Sequence, residues 1–507
     1  MFAAVTSATI QGVEALEVRV EAFVSGGLPN FTIVGLPGAA VQESRERVRA
    51  NLKLLGLPLP PSRILVNLAP ADVRKEGPAL DLPIALALLA ADRRLPTRAL
   101  EGLVAFGELA LDGGLRPVRG AVAIALMSAG LGAAAGSVGR ILAPAANADE
   151  AALVPGTQVF AVAKLAAALG HLTGRQVLPA HAPPSSAAVP GAAADPLPDL
   201  ADVRGQALPR RALEVAAAGR HNLLLTGPPG AGKSMLARRL PGILAPLPDA
   251  EALEVTRVHS SAGRFPGGGL MRTAPFRQPH HSGSEAGIIG GGAVVRPGEA
   301  SLAHLGVLFL DELPEFSRSV LEALRQPLED GVITISRASG SVRLPARFQL
   351  VAARNPCPCG YHGADDDAHP CLCHPGEVSR YQRRLSGPLL DRLDLRVNVP
   401  RLSEAELLSA APGEASEVVA SRVAAARLLA LERQGVPNAY LSGRALSSHA
   451  LLEPTGEAVL GRIVRSRRPT ARGLDRLLRV ARTVADLNGS AGVNGAHLLE
   501  ASSYRDG

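Results

Sequence analysis

The stretch LLLTGPPGAGKSMLARRL, residues 223–240, carries the pattern that decides the fold of this 507-residue chain. An apolar run with the length of a buried strand leads into a glycine-rich turn, and a helical pattern follows at once. The glycines let backbone N–H groups curl around a phosphate without a side chain in the way. Lys233 supplies a positive charge to the β- and γ-phosphates, and the Ser234 hydroxyl can bind Mg²⁺. The predicted ATP-binding loop consists of Gly227, Pro228, Pro229, Gly230, Ala231, Gly232, Lys233 and Ser234.

A second motif, GVLFLDEL at residues 306–313, places two carboxylates directly after a short apolar run. In a P-loop enzyme an Asp at the end of such a strand holds magnesium, directly or through water, so Asp311 joins Ser234 as a predicted Mg²⁺ ligand. The adjacent Glu312 is placed to orient and polarise the attacking water. Together the two motifs predict a catalytic site that hydrolyses ATP.

Three apolar runs, at residues 222–226, 307–310 and 348–352, have the length and content of central parallel strands buried on both faces. They predict an α/β core with a parallel sheet. Asn355 follows the third run, which we expect to lie beside the strand that leads to Asp311. Its side chain could therefore hydrogen-bond the γ-phosphate or the attacking water.

The segment VITISRASGSVRLP, residues 332–345, consists of two strand patterns around a Ser-Gly turn and predicts a β-hairpin. Upstream of it, PFRQPHHSGSEAGIIGGGAVVRPGEA at residues 275–300 contains adjacent histidines and a glycine run. Neighbouring residues on a strand point to opposite faces, so His280 and His281 suit a structured polar loop better than one shared metal site. The glycines at 290–292 are expected to form a mobile tip.

Composition divides the chain into four parts. Residues 1–175 show patterns typical of an α/β domain, and residues 176–200, rich in Pro, Ala and Ser, are typical of a linker. Residues 201–400 carry the P-loop core, and residues 401–507 have the apolar spacing of helices. The helices are expected at 403–410, 415–434 and 474–487.

The net charge of +7, without Lys-rich blocks, permits nucleic-acid binding but does not demonstrate it. Trp is absent and aromatic residues make up 3%, so stacking of bases on an aromatic platform is not expected. The chain has no run of about 18 apolar residues, and its N-terminus lacks a basic segment leading into an apolar one. We therefore expect no membrane span and a cytoplasmic location.

All four cysteines lie in CPCGYHGADDDAHPCLCHP, residues 357–375. Two C-x-C pairs separated by eleven residues can present four thiolates to one tetrahedral Zn²⁺. The C-x-C spacing is tighter than the usual zinc spacing, so free thiols in a reduced surface loop are the alternative. The candidate zinc ligands are Cys357, Cys359, Cys371 and Cys373. Because Asn355 lies two residues upstream, such a site would also brace it.

Taken together, these residues resemble the YifB/ComM family of magnesium-chelatase-like AAA+ ATPases, over essentially the whole chain. The segments that carry the resemblance are LPNFTIVGLPGAAVQESRERVRA (28–50), RILVNLAPADVRKEGPALDLPIAL (63–86), PFRQPHHSGSEAGIIGGG (275–292), SGPLLDRLDL (386–395) and LDRLLRVARTVADL (474–487). The resemblance implies a Lon-protease-like (ribosomal S5 domain 2-like) α/β domain, an AAA+ core and an α-helical C-terminal lid. It further implies a ring, a hexamer, that acts on single-stranded or branched DNA. The implied reaction is branch migration or helicase-type remodelling in recombination or natural transformation.

By the same resemblance, Asn355 takes the sensor-1 position and Arg472 the sensor-2 position. Arg392 takes the position of an arginine finger that reaches the neighbouring subunit's nucleotide. An arginine supplied in trans stabilises charge on the transferring phosphoryl group. Arg383 and Arg384 are close in sequence and stay alternatives for the finger.

The N-terminal domain departs from an active Lon-type protease. In KEGPALD (75–81) Ala79 stands where a nucleophilic Ser is expected, and in GGLRPVRGAVAIA (113–125) Val118 replaces the general-base Lys. A hydroxyl nucleophile needs both groups. The domain is therefore interpreted as a non-proteolytic module for assembly or partner binding.

Residues 462–482 contain eight arginines and one acid. Arg472, Arg476 and Arg479 share one helical face. This face is either solvated, apart from the sensor-2 arginine, or contacts phosphate of nucleotide or DNA.

Three other functions compete with a DNA motor: the ATPase subunit of a metal chelatase that inserts Mg²⁺ into a porphyrin, a Lon-like protease, and a non-enzymatic scaffold. The Lon-like domain opposes the first, and the loss of both dyad residues opposes the second. The intact Lys233, Asp311 and Glu312 oppose the third.

Overall fold

The computed structural model describes residues 1–183, 197–337, 340–363, 369–402 and 413–505. The middle of the predicted linker, residues 184–196, and the predicted helix at 403–410 lie outside the described residues. The division of the chain at 175, 200 and 400 and the cytoplasmic location stay predictions. Within the described residues, every helix is too short or too polar to cross a membrane.

The N-terminal part of the chain forms a mixed seven-stranded sheet in the order β3-β4-β2-β1-β5-β8-β9, with a short β6–β7 ribbon beside it. Its strands are β1 Phe2–Gln11, β2 Glu14–Ser25, β3 Asn30–Val34, β4 Arg63–Ala69, β5 Leu103–Ala105, β6 Glu108–Leu109, β7 Leu115–Arg116, β8 Gly139–Pro144 and β9 Thr157–Val162. Its helices are α1 Ala39–Leu54, α2 Asp81–Ala91, α3 Ala121–Ala134, α4 Ala145–Ala152 and α5 Leu165–Leu172. Every residue of helix α2 is buried, and all of them except Asp81 are apolar, as expected for a helix in the core. Its Asp81 is paired with Arg47 of α1, at 2.6 Å between Oδ2 and Nε.

The second sheet has five strands in the order β11-β14-β17-β10-β18, and all neighbouring pairs are parallel. These strands are β10 Leu223–Thr226, β11 Phe276–Arg277, β14 Val307–Leu310, β17 Gln349–Arg354 and β18 Leu395–Asn398. Two antiparallel hairpins lie outside the sheet, β12 Gly290–Gly291 with β13 Arg296–Pro297, and β15 Val332–Arg337 with β16 Gly340–Pro345. The helices of this part are α6 Ala207–Gly219, α7 Lys233–Arg239, α8 Asp249–Ser261, α9 Glu285–Ile288, α10 Glu299–Leu302, α11 Arg318–Ala323, α12 Arg325–Asp330, α13 Pro375–Gln382 and α14 Gly387–Leu390. The predicted parallel sheet and the hairpin at 332–345 are confirmed.

The C-terminal region is helical, as predicted. Its helices are α15 Ser416–Gln434, α16 Gly443–His449, α17 Pro454–Arg467, α18 Ala471–Leu487 and α19 Gly495–Ser503. The Arg482 side chain is fully buried in α18, where its Nη2 lies 2.9 Å from Oδ1 of Asp486. Arg433 of α15 binds the same carboxylate at 2.6 Å. A buried charge of this kind persists only when it is paired.

The two faces of the parallel sheet have different partners, because successive residues of a strand point to opposite sides. Leu223 belongs to the face that packs on α6 and on C-terminal residues such as Leu477. Leu224 belongs to the opposite face, which packs with Leu344 of β16 and with Val13 from the turn between β1 and β2.

The turn between β1 and β2 therefore joins the N-terminal sheet to the β15–β16 hairpin. Gly12 has a φ of +66°, and a Cβ added there would lie 2.7 Å from Cγ1 of Val342. Glycine adopts this left-handed φ without strain and leaves room for the Val342 side chain. Glu14, two residues further along, pairs with Arg257 of α8 at 3.0 Å.

Candidate nucleotide site

The carboxyl ends of β10, β14 and β17 meet at one edge of the parallel sheet. The register pairs Leu310 with Ala352, and Thr226 with Arg354. The P-loop, the Asp311–Glu312 pair and Asn355 each follow one of these strand ends. Open parallel sheets bind ligands at this edge.

The P-loop conformation depends on two of its glycines. Gly230 has a φ of +76° and Gly232 a φ of +90°, in the left-handed region that glycine adopts most easily. Helix α7 begins directly afterwards at Lys233, which directs the helix N-terminus at the loop.

Lys233 is buried at the centre of the site. Its Nζ donates to the carbonyl oxygens of Gly227 at 2.7 Å and Pro228 at 2.8 Å, and to Oδ1 of Asn355 at 3.0 Å. Burial lowers the pKa of Lys233, while the carboxylates of Asp311 and Glu312 oppose this shift. Asn355 thus contacts Lys233, the predicted phosphate-binding lysine, directly.

The two predicted magnesium ligands lie side by side although 77 positions separate them in sequence. The Ser234 hydroxyl donates to Oδ2 of Asp311 at 2.6 Å. A hydroxyl and a carboxylate are the hard oxygen donors that Mg²⁺ binds together with phosphate oxygens. These residues therefore fit a magnesium ion.

Glu312 has an unusual backbone conformation for a side-chain-bearing residue, with a φ of 51°. Such left-handed residues cost roughly 1–2 kcal/mol and are concentrated at functional sites. Its backbone N–H donates to Oδ1 of Asp311 at 3.0 Å, and its Oε2 lies 3.3 Å from Nδ1 of His281.

The contact between His281 and Glu312 is absent from the sequence prediction, which treats both histidines as polar loop residues. That interpretation holds for His280, whose ring bonds to the Ser282 hydroxyl at 2.7 Å. His281 comes to the site because β11, only two residues long, pairs with β14. A strand this short has no detectable alternation, so only the pairing itself reveals the contact.

Arg392 and Arg472 do not lie at this edge. Both line a cavity of about 610 Å³ that also contacts Asn222, at the amino end of β10. From Asn222 to the first P-loop glycine the extended chain covers about 16 Å at roughly 3.3 Å per residue. The two arginines are therefore on the side of the sheet remote from their own P-loop.

Both arginines share this cavity with Arg476 and Arg479. Arg392 donates to the Pro388 carbonyl at 2.6 Å and is paired with Glu329. Arg476 donates to the carbonyl and to Oδ1 of Asp391, at 2.5 and 3.1 Å. Arg476 is buried, so of the two alternatives for this arginine face the solvated one is wrong for this residue.

The four cysteine sulfurs form one cluster, with all Sγ atoms within 4.8 Å of one another. Cys357 and Cys371 are 3.8 Å apart, and Cys359 and Cys371 are 3.6 Å apart. Four thiolates on a tetrahedral zinc with bonds of about 2.3 Å would be about 3.8 Å apart. The backbone N–H groups of Gly360 and His362 also donate to the Cys357 sulfur, at 3.2 and 3.3 Å. The cluster could hold a metal ion, and zinc fits its donor set.

Comparison with known proteins identifies the family. The family model for magnesium chelatase, subunit ChlI, matches residues 199–407, and models for subunit ChlI of Mg-chelatase and its C-terminal part match residues 20–147 and 413–505. Competence protein ComM of Haemophilus influenzae is 42% identical over 505 residues, which cover 99% of this chain and 97% of ComM. The protein YifB of Escherichia coli is 44% identical over 496 residues, 97% of this chain and 95% of YifB.

The chain belongs to the YifB/ComM family of magnesium-chelatase-like AAA+ proteins. Membership of this AAA+ family implies ATP and Mg²⁺ as ligands of the site, and an ATPase activity. A shorter similarity links this YifB/ComM chain to the DNA replication licensing factor of Schizosaccharomyces pombe, at 30% identity over 138 residues. That match covers 27% of this chain and 16% of the yeast protein.

Proposed function

We propose that this protein is an ATP-hydrolysing motor that assembles into a homo-hexameric ring in the cytoplasm and remodels single-stranded or branched DNA. The reaction would be branch migration or related helicase-type movement, in recombination or natural transformation. The observation that carries this proposal is the separation of the P-loop and the arginine cavity onto opposite edges of one sheet. A ring brings the cavity of one subunit to the P-loop of the next, and each active site is then completed between two subunits.

In this mechanism the P-loop edge of the sheet binds ATP and magnesium and activates the attacking water. Lys233 would hold the β- and γ-phosphates, and Ser234 and Asp311 would hold magnesium, which when bound would neutralise charge on the phosphates. Glu312 accepts a proton from the attacking water, and Asn355 orients the γ-phosphate or that water.

The opposite edge supplies positive charge to the neighbouring subunit. Arg392 is the proposed finger, and Arg472 joins it from the same cavity. Arg384 is a weaker alternative because of its position. Its ion pair with Glu315, at 2.8 Å, places it beside the segment that follows Glu312. It therefore lies on the side of its own catalytic glutamate, whereas a finger acting in trans lies on the other.

The proposed DNA contact is made by the two hairpins. On the β15–β16 hairpin, Val342 and Leu344 are buried, while Arg337 and Arg343 are exposed. Arg337 donates to the Ala293 carbonyl at 2.8 Å and also binds Gly292, so it links the glycine-rich β12–β13 tip to this hairpin. These bonds favour an ordered tip, whereas the glycine run alone predicts a mobile one. Arginines repeated around a ring would bind backbone phosphates with little sequence preference.

The names of relatives support the DNA assignment. ComM is named a competence protein, and the yeast relative is named a DNA replication licensing factor. The matching family models are named for magnesium chelatase, and this favours a chelatase-type ATPase subunit as the second candidate. The Lon-like protease stays disfavoured, because Ala79 and Val118 offer neither a nucleophile nor a base.

Replacing Arg337 and Arg343 together by Ala should weaken DNA binding and reduce its salt dependence, because fewer counterions are released from DNA. Hydrolysis of ATP without DNA should stay nearly unchanged. Fluorescence anisotropy of labelled single-stranded and branched DNA, titrated at several salt concentrations, measures the effect.

A matched control replaces Arg45 and Arg98, two exposed arginines of the N-terminal domain, and removes the same charge. If both double variants lose DNA affinity equally, the hairpin is not the contact.

We also propose that Cys357, Cys359, Cys371 and Cys373 bind one Zn²⁺ per chain. Metal analysis of protein purified without chelators should find about one equivalent of zinc, lost when Cys357 and Cys371 are replaced by Ser. Substoichiometric zinc in the unmodified protein would contradict the zinc site and favour free thiols.

A further inference from the structure

Gly360, which follows the first cysteine pair, lies close against the P-loop. Gly360 lies between the two cysteine pairs and has a φ of +90°. A Cβ added at Gly360 would lie 2.5 Å from Cδ and 2.8 Å from Cγ of Pro229, and 3.8 Å from Cγ of Asn355. The backbone at Gly360 therefore packs against the ring of Pro229 and lies near the side chain of Asn355, which contacts Lys233.

The same glycine is tied to the cluster. Its N–H donates to the Cys357 sulfur at 3.2 Å and to the Cys357 carbonyl at 3.0 Å. Cys357 is buried, and Asn355 lies two residues before it. A short series of contacts thus runs from the sulfur cluster through Gly360 to Pro229, and through the chain to Asn355 and Lys233.

A metal at the cluster would hold this arrangement in place. Eleven residues separate the two C-x-C pairs in sequence, and holding two such points of a chain together lowers its conformational entropy. The order gained on metal binding appears as local folding free energy. Here the ordered segment is the one that supports Pro229 and Asn355.

We propose that the four-cysteine loop is a metal-dependent support for the nucleotide site, in which Gly360 is the positioning residue that presses on the P-loop. Zinc bound by the four thiolates holds Gly360 against Pro229 and Asn355 beside Lys233. The protein with zinc then binds ATP more tightly than the same protein without it. This inference rests on the proposed ATP site, but on neither the ring nor DNA.

The first test is Gly360→Ala in the full-length protein, with Gly363→Ala as control. Gly363 has a similar left-handed φ of +71°, and a Cβ added there meets nothing within 4 Å. Gly360→Ala should retain one equivalent of zinc and yet bind a fluorescent ATP analogue about tenfold more weakly, since the added methyl overpacks the P-loop. Gly363→Ala should retain both zinc and affinity.

Rescue distinguishes contact with Pro229 from a general disturbance of the loop. With Pro229→Ala in the background, Gly360→Ala should cost much less affinity, because the clashing ring atoms are gone. An equal loss in both backgrounds, or equal losses for the two glycine variants, would overturn the role of Gly360.

The second test removes the metal. Protein in which Cys357 and Cys371 are Ser, or from which zinc has been chelated, should bind the analogue at least about tenfold more weakly, and added zinc should restore the chelated protein. Metal-free protein that binds the analogue with unchanged affinity would overturn the proposal. If the cysteine variant does not fold, the comparison of Gly360→Ala with Gly363→Ala still tests the proposal. Because analogue binding needs neither turnover nor DNA, a failure of the DNA motor is seen separately.

Discussion

Glu312→Gln should bind ATP with unchanged affinity and hydrolyse it at least about a hundredfold more slowly. The amide keeps the size of the carboxylate but cannot accept the proton of the attacking water. Lys233, Ser234 and Asp311, the proposed ligands of the nucleotide and the magnesium, stay intact. Steady-state phosphate release gives the turnover, and a fluorescent ATP analogue gives the affinity.

Glu315→Gln is the matched control for this variant. It lies three residues further along and is paired with Arg384 on the surface, so its loss should leave turnover nearly unchanged. Normal turnover in Glu312→Gln would remove Glu312 from the mechanism. Lys233→Ala should instead weaken ATP binding itself.

Arg392→Ala should lower turnover by about a thousandfold, which is the usual scale for loss of an arginine finger. Mixing these subunits with Lys233→Ala subunits should restore part of the activity. In a mixed ring some interfaces pair an intact P-loop from one subunit with an intact arginine from its neighbour. Activity measured across mixing ratios should therefore pass through a maximum.

Arg384→Ala is the control for the mixing experiment. Arg384 is close to Arg392 in sequence but lies on the P-loop side, so its loss should reduce turnover far less than the loss of Arg392. A mixture that shows no recovery at any ratio, although co-assembly is verified, would contradict the assignment of Arg392.

Local sequence patterns predict much of this fold because loops, strands and strand ends are each determined largely by a few neighbouring residues. The glycines before Lys233 and the apolar run before Asp311 specify a loop and a strand end from a few adjacent residues. The parallel sheet follows from such runs, and it places Asn355 beside the Asp311 strand. The hairpin at 332–345 is predicted for the same reason.

The contacts that sequence does not predict are long-range and depend on packing. His281 reaches Glu312 through a two-residue strand, and Gly360 touches Pro229 across more than a hundred residues of sequence. The shared cavity of Arg392 and Arg472 depends on how the C-terminal helices pack on the amino end of the sheet. The periodicity of apolar residues predicts which residues are buried, but it does not predict which residues they pack against.

The most direct test of the central claim is the ATP hydrolysis rate of the full-length protein with and without single-stranded, duplex and branched DNA. The protein is first shown by light scattering to be oligomeric with ATP, and Lys233→Ala serves as the inactive reference. We predict that single-stranded or branched DNA binds at low salt and raises the hydrolysis rate, and that Lys233→Ala abolishes hydrolysis under all conditions. An oligomeric protein that binds none of these DNAs at low salt, and whose hydrolysis rate none of them changes, would contradict the DNA motor and favour the chelatase-type ATPase.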